Sequence, residues 1–230
     1  MALVLVDVDG TLVPPPSGEA RFVAWLIWQR MLGARQLAAA AWFQVRWMPR
    51  FGLFTHRKNK AYLSGLSPEA VESVAASFVA EQIAPHLRPN MRMRLQAHHA
   101  LGDQVALLTG TPEFIAKPLA RRLGITLWIA TLPSTCNGRF TAALPHRHPY
   151  AAEKIACADA LCADLGVRLA EAVAYADSGS DVALLERVGR PVAVHPDAPL
   201  CAAARARGWE IIKDDRAAPA HDFQTRLSGR

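Results

Sequence analysis

The chain has 230 residues, of which 51% are hydrophobic, and a formal net charge of +6 at pH 7. This length allows one large domain or a core with a modest insertion, and the charge favours acidic partners such as phosphate esters, nucleic acid or anionic membranes. No apolar run reaches the roughly 18 to 20 residues that cross a bilayer, so we expect no transmembrane helix.

The first predicted element is a short buried strand, Ala2 to Val6, which ends at Asp7. It lacks a charged leader and is too short for a signal peptide. Similar apolar runs predict further strands at 104–108, 126–130, 172–176 and 191–194. Helical patterns with clear starts and stops lie between them, at 89–102, 111–124, 150–166 and 178–189. This alternation predicts an α/β fold with a doubly wound parallel sheet, whose ligands bind at the carboxyl ends of the strands.

One stretch breaks the alternation. From Pro14 to about Pro85 the pattern is helical, with a clear helix start at Ser67-Pro68-Glu69. Between Ala20 and Pro68 there is no Asp or Glu, and the basic residues there are Arg21, Arg30, Arg35, Arg46, Arg50, Arg57, Lys58 and Lys60. We therefore predict a helical insertion that carries more than the whole net charge.

Two weaker features follow later in the chain. Asn137-Gly138, flanked by residues of high strand propensity, predicts a β-hairpin within 132–144. The last residues, 214–230, show no periodicity and are expected to form a flexible tail. The four cysteines show neither a CxxC pair nor zinc-finger spacing, so we expect a protein of the reducing cytoplasm.

The strongest chemical signal is Asp7-Val8-Asp9-Gly10-Thr11-Leu12, at the end of the first predicted strand. Carboxylates two residues apart on extended backbone point the same way, so Asp7 and Asp9 can act on one reacting centre. Gly10 allows the chain to turn beside them. Asp7 is the candidate nucleophile toward phosphorus, and Asp9 is the candidate proton donor and acceptor.

Two carboxylates would repel an anionic phosphate unless a cation were present, and an oxygen-rich site suits Mg²⁺. Further oxygen ligands are expected at Tyr175-Ala176-Asp177-Ser178-Gly179-Ser180-Asp181, which follows another apolar strand. Asp177 is the candidate direct ligand. Asp181 is expected to act through water or by orienting its neighbours.

Phosphoryl transfer also needs fixed positive charge and hydrogen-bond donors around the transferred group. Thr109 supplies a hydroxyl at the end of a strand, and the Gly110 amide precedes a helix whose amino terminus attracts anions. Lys154, early in a predicted helix, supplies the charge. Thr111 is instead predicted to cap the helix that follows it.

With these motifs in order, the chain resembles the haloacid dehalogenase superfamily, in the branch that includes phosphoserine phosphatase-like enzymes. The match rests on DVDGTL at Asp7, LLTGTP with Thr109, the lysine Lys154, and YADSGSD with Asp177. The resemblance implies a Rossmann-like core from residues 1–13 and 86–213 and a helical cap from 14–85. It also implies Asp7 as nucleophile, Asp9 as acid and base, and Thr109 and Lys154 on the phosphate.

The same resemblance implies an aspartyl-phosphate intermediate and Mg²⁺ held by Asp7, the Asp9 carbonyl and Asp177. The expected partner is a small phosphorylated metabolite. Phosphoserine phosphatases carry a substrate-binding glutamate about nine residues after the nucleophile, where this chain has Pro16, with Glu19 the nearest acid. This departure does not favour a serine ammonium group as the recognised feature.

The cap leaves alternatives open. Its aromatic residues, Trp25, Trp28, Trp42 and Trp47 among them, predict a packed cap interior, although a basic and aromatic surface in weak contact with anionic lipid is the alternative. Candidates for binding a second anionic group of the substrate are Arg46, Arg50, Arg57 and Lys60. The histidines His98, His99, His146 and His148 are predicted to be surface residues.

Three other functions compete with a small-metabolite phosphatase. A lipid-phosphate phosphatase and a phosphotransferase would use the same chemistry, and a non-catalytic protein would bind phosphate or dock on a membrane. The last hypothesis predicts the loss of a catalytic carboxylate, which is not seen. No nucleic-acid-binding module is recognised, so nucleic acid is not an expected partner.

Overall fold

The computed structural model describes residues 2–213, so the predicted tail at 214–230 lies outside the described residues. Its main sheet has six parallel strands in the order β3-β2-β1-β6-β7-β8. These strands are β1 (Leu3–Val6), β2 (Gln104–Pro112), β3 (Leu127–Thr131), β6 (Val173–Ala176), β7 (Arg190–Val194) and β8 (Glu210–Ile212). The predicted α/β fold with a doubly wound parallel sheet is confirmed.

The helices lie between β1 and β2 and between the later strands. They are α1 (Gly18–Trp28), α2 (Ala34–Phe51), α3 (Thr55–Lys58), α4 (Pro68–Phe78), α5 (Pro89–Ala100), α6 (Glu113–Arg122), α7 (Ala152–Leu165), α8 (Val182–Leu185) and α9 (Ala198–Arg207). Short 3₁₀ and π turns at 52–54, 61–63, 79–83, 84–86, 169–171 and 179–181 join or extend them. The helix predicted at 178–189 is therefore much shorter than expected, and α9 and β8 were not predicted.

Both faces of the sheet are covered. Along β1, Val4 and Val6 point into one hydrophobic cluster, while Leu3 and Leu5 point into a second cluster on the opposite face. This explains why the strand sequences are continuously apolar rather than alternating. Since neither face is open to water, polar side chains are left to the strand ends.

The chain between β1 and β2 is helical, as the sequence predicts. Ser17 and Ser67 cap α1 and α4 by accepting hydrogen bonds from the amides of Ala20 and Ala70, at 3.2 and 3.3 Å. Aromatic contacts are among those that join the segment to the rest of the molecule. Phe22 of α1 lies 5.1 Å, centroid to centroid, from both Phe78 and Phe114. Phe114 belongs to α6, so this contact holds the helical segment against the sheet layer.

The predicted packed interior for the tryptophans is only partly correct. Trp25 is buried, whereas Trp28 and Trp42 are exposed over more than half of their surface. α2 carries apolar residues on two sides, and one helix cannot bury both against a single layer.

The predicted hairpin is present as β4 (Thr135–Cys136) and β5 (Arg139–Phe140), which pair antiparallel. Asn137 and Gly138 between them have φ of 48° and 69°, as a two-residue hairpin turn with both central residues at positive φ requires.

Among the described residues, no helix combines the length and apolarity needed to cross a membrane.

We predict that Phe22→Ala destabilises the fold by about 3–5 kcal/mol, because it removes a fully buried ring between two helical layers. The free energy of unfolding from urea titration measures this effect. The matched control is Phe54→Ala, where an exposed ring is removed and the expected change is within about 0.5 kcal/mol. Equal effects of the two substitutions would contradict a stabilising role for the packing of Phe22 against Phe78 and Phe114.

Candidate functional site

The loop that follows β1 carries the first two carboxylates. The Asp7 amide donates to the Tyr175 carbonyl at 3.0 Å, so the strand pairing continues to the nucleophile candidate itself. Gly10 then closes a tight turn by donating its amide to the Val13 carbonyl at 2.7 Å. Gly10 has φ of +86°, and a Cβ there would lie 1.9 Å from Asp177 Oδ2. Glycine is therefore required both by the turn and by the closeness of Asp177.

Asp9 is held by two donors. The Gly18 amide donates to Oδ1 at 2.6 Å, and the Thr111 hydroxyl donates to Oδ2 at 2.8 Å. Burial raises the pKa of Asp9 to about 6 despite these two hydrogen bonds, and the neighbouring Asp7 charge adds to the rise. A carboxyl group with this pKa can both donate and accept a proton near neutral pH.

The expected cap role of Thr111 is wrong. α6 begins at Glu113, and Thr111 belongs to β2, where the pairing with β3 shifts register between Leu108 and Pro112. This irregularity lets the Thr111 hydroxyl reach Asp9, while its amide donates to Thr109 Oγ1 at 3.1 Å. Irregular strand ends of this kind commonly redirect side chains at active sites.

Lys154, in the first turn of α7, joins two strand ends. Its ammonium lies 3.2 Å from Asp7 Oδ1 and 2.9 Å from Asp181 Oδ1, and the side chain is buried. Burial alone would lower the pKa of Lys154, but the charges of Asp181 and Asp7 outweigh it and raise the pKa above its ordinary value. Lys154 is therefore a permanent cation in the site.

Three carboxylates gather beside this lysine. Oxygens of Asp7, Asp177 and Asp181 all lie within 4.8 Å of one another, and Thr11 donates to Asp177 Oδ1 at 3.2 Å. Burial, followed by the charges of Asp7 and Asp181, raises the pKa of Asp177 to about 8. Burial also raises the pKa of Asp181. Crowded carboxylates with raised pKa values fit a hard divalent cation, which relieves their repulsion with oxygen ligands.

These groups line a cavity of about 360 Å³. Gly110 of β2 also lines it, and further lining residues come from the helical segment and from the loop before α7: Ser17, Glu19, His56, Arg57, His148, Pro149 and Tyr150. The Arg57 guanidinium stacks over the Tyr150 ring at 4.5 Å from its centroid. Arg57 lines the cavity, and among the described residues its guanidinium donates no hydrogen bond.

The other three basic candidates lie elsewhere. Arg46 and Arg50 project from α2 and stack on Trp47, with no part in the cavity lining. Lys60 is buried, and its ammonium donates to Glu19 Oε2 at 2.6 Å. Tyr62 donates to the other Glu19 oxygen at 2.8 Å. Glu19 thus reaches the cavity with its charge already compensated.

His148 is a cavity residue that the sequence reasoning missed. Thr131 donates its single hydroxyl proton to the Gly110 carbonyl at 2.6 Å, so His148 Nδ1, 2.8 Å from Thr131 Oγ1, must itself donate. Burial, with the charges of Lys60, Lys58 and Arg57, lowers the pKa of His148 to about 3. The ring is therefore neutral, and Nε2 is a buried acceptor without a partner among the described residues.

The prediction of surface positions is also wrong for His98, which is buried and bonded to Asp103 and Tyr175. His99 and His146 are exposed, as predicted. The Asp103 that follows His98 by five residues is a sequence signal that could have suggested the pairing. The ring of His148 gives no comparable local signal, because its partner Thr131 lies in β3.

Comparisons with known proteins identify the family of this chain. The family model of haloacid dehalogenase-like hydrolases matches residues 4–186. A histidinol-phosphatase of Neisseria meningitidis is 31% identical over 217 residues, which cover 91% of this chain and 97% of the relative. The phosphoserine phosphatase SerB1 of Mycobacterium tuberculosis is 36% identical over 155 residues, and this chain spans about half of its length, 50%.

Solved structures share the fold of this chain. A Bordetella pertussis protein of unknown function is 30% identical, with a TM-score of 0.76 over 92% of this chain and 97% of that one. A phosphoserine phosphatase in its apo form shares the fold with a TM-score of 0.60 at 17% identity, over 93% and 94% of the two chains. The extent of the family match and of the near full-length relative shows that this chain belongs to the haloacid dehalogenase-like hydrolases.

Proposed function

We propose that the protein is a Mg²⁺-dependent phosphatase of small phosphomonoesters that works through an aspartyl-phosphate on Asp7. The observation that carries the proposal is the convergence of Asp7, Asp177, Asp181 and Lys154 beside Asp9, at one edge of the sheet. The names of the relatives support the same reaction class. The four cysteines are free thiols, which suits the cytoplasm as its proposed location.

In the first step, a carboxylate oxygen of Asp7 attacks phosphorus while the bond from phosphorus to the leaving oxygen breaks. Protonated Asp9 gives its proton to that oxygen, so an alcohol leaves. In the second step, Asp9 takes a proton from water, and the water oxygen attacks the phosphorus of the aspartyl-phosphate. Inorganic phosphate leaves, and Asp7 returns as a carboxylate.

The proposed supporting groups act on the transferred phosphoryl. Lys154, the Thr109 hydroxyl and the Gly110 amide would hold its oxygens, since all three residues line the cavity. The residues that would hold Mg²⁺ are Asp7, the Asp9 carbonyl and Asp177, with Asp181 through water. A bound Mg²⁺ would neutralise charge on the phosphate and allow an anionic nucleophile to approach.

The cavity wall away from the carboxylates bears on the substrate. Arg57 offers unpaired donors, and His148 Nε2 offers an unpaired acceptor. Glu19 is paired with Lys60, so it is poorly placed to select an ammonium group. The wall therefore favours a leaving group with an anionic group and a hydrogen-bond donor.

A panel of phosphoserine, histidinol phosphate and glycerol phosphate, assayed with and without EDTA, tests the proposed substrate class and the need for a divalent cation. Release of inorganic phosphate separates hydrolysis from transfer to an alcohol.

Asp7→Asn should lower phosphate release by at least about 10⁴-fold, because an amide cannot form the acyl phosphate. Acid-quenched wild-type enzyme should show one added phosphoryl group by intact mass, and the variant none. The melting temperature should remain near that of the wild type, which separates lost chemistry from lost fold. Retained turnover with a native melt would refute the nucleophile assignment.

Mg²⁺ should raise the melting temperature, and by more at higher pH. The folded-state pKa of Asp177, about 8 against an ordinary 3.8, means that its contribution to stability is complete below pH 3.8 and is lost as pH rises through about 8. Cation binding needs the ionised carboxylates, so its stabilisation grows over the same range. Differential scanning fluorimetry with Mg²⁺ or EDTA, from about pH 5 to pH 8.5, measures this. Asp177→Asn should flatten the dependence, and an equal Mg²⁺ shift at every pH would count against the site.

Arg57→Ala should raise KM by roughly 10- to 100-fold for an anionic leaving group, with a much smaller change in kcat, because it removes a binding charge rather than a reacting group. Arg46→Ala is the matched control, since Arg46 lies on α2 away from the cavity, and its KM should equal that of the wild type. If both substitutions changed KM alike, substrate binding by Arg57 would be wrong.

A further inference from the structure

α2 presents an apolar side to solvent. Of the residues that the structure describes in this 18-residue helix, Phe43 alone is buried. Phe43, Trp47 and Phe51 recur at intervals of four and form the side that faces the rest of the protein, with ring centroids 5.9 to 6.3 Å apart. On the opposite side of the helix, apolar residues also recur at helical spacing, three or four positions apart along each row. That side, here called the outer face, comprises Leu37, Ala38, Ala41, Trp42, Val45 and Met48.

The outer face is large and strongly exposed. Trp42 is 61% exposed and Val45 65% exposed, and the chain just after the helix adds Leu53, which is 82% exposed, and Phe54. Scattered exposed apolar residues are normal on a protein surface, but the six residues of the outer face share one side of one helix, which marks a surface that contacts something else.

A basic edge runs beside the outer face. At 100° per residue, Arg35, Arg46 and Arg50 fall on one flank of α2, between the outer face and the packed side. Arg46 and Arg50 lie over the Trp47 ring at 5.6 and 5.9 Å from its centroid, and neither forms an ion pair with the described residues. Because residues 20–68 contain no acidic side chain, nothing nearby in sequence offsets this charge.

We propose that the outer face, with Leu53 and Phe54, docks on the surface of an anionic lipid bilayer. Apolar and aromatic side chains enter the boundary between headgroups and acyl chains, while the flanking arginines contact lipid phosphates. A helix of this length, about 27 Å, lies flat on such a surface. No described helix could cross the membrane, so the contact is peripheral.

Charge distinguishes the bilayer from a second copy of the chain. A two-fold contact through the outer face would bring the acid-free segments 20–68 of both copies together, so their arginines would repel one another without a counter-charge. Lipid phosphates supply the missing negative charge over the whole face. The bilayer is therefore the occupant that satisfies both the apolar area and its basic edge.

Docking would bring the catalytic cavity close to the membrane. Leu53 and Phe54 are followed within four residues by His56 and Arg57, which line the cavity. The docking itself does not depend on the proposed phosphatase activity, and it can be tested in the absence of any substrate.

Flotation of the full chain with vesicles tests the proposal. Wild-type protein should float with phosphatidylcholine vesicles that contain phosphatidylglycerol, and more weakly with phosphatidylcholine alone. Val45→Asp and the pair Arg46→Glu, Arg50→Glu should each lower binding by at least about tenfold. The matched controls, Leu101→Asp and Arg92→Glu, change an exposed apolar and an exposed basic residue of the α5 region and should bind like wild type.

The variants should keep the melting temperature and the hydrolysis of a small phosphomonoester unchanged, since no altered residue lines the cavity. Failure of the wild type to float at low salt would overturn the proposal. So would equal binding by Val45→Asp and Leu101→Asp. Light scattering that shows a dimer which Val45→Asp dissociates would instead assign the outer face to a second copy.

Discussion

The acidic edge of the sheet depends on one buried ammonium group. Lys154 contacts Asp7 at the end of β1 and Asp181 beyond β6, and therefore joins two separate segments of the sheet at the point where their carboxylates would otherwise repel. Removing one partner from such a buried set leaves an uncompensated charge, which costs far more than the pair itself contributes. Lys154 thus reduces the repulsion between the carboxylates that are gathered here. In the proposed reaction, the same positive charge would contact the phosphate of the substrate.

Much of this edge could be predicted from sequence because parallel strands end together. A strand pattern followed by a carboxylate or a hydroxyl places that group at a shared edge, and this was enough to bring Asp7, Thr109 and Asp177 to one cavity. Periodicity and chain direction are enough to predict the positions of these three residues. They do not predict the position of Thr111, because a shift in strand register decides where that side chain points, and register depends on the neighbouring strand.

The other residues whose positions could not be predicted from sequence also depend on contacts between distant segments. From sequence, His148 is predicted to be a surface residue in a loop. In the structure, Thr131 and Gly110 determine the orientation and the tautomer of its ring. From sequence, Lys60 is predicted to be a free cation that could bind substrate. In the structure, it forms an ion pair with Glu19 of α1. The arginines of the helical segment are alike in sequence, yet Arg57 reaches the cavity and Arg46 stacks outside it, since the 3₁₀ turn at 52–54 redirects the chain between them.

Gly10 shows how tightly the two acidic loops are interlocked. The hydrogen that this residue carries in place of a side chain is what leaves room for the Asp177 carboxylate. The two positions therefore have to be considered together in any redesign of the site. Shortening position 177 would make room for a side chain at position 10, but the φ of +86° would still strain that residue, so two independent constraints keep glycine there.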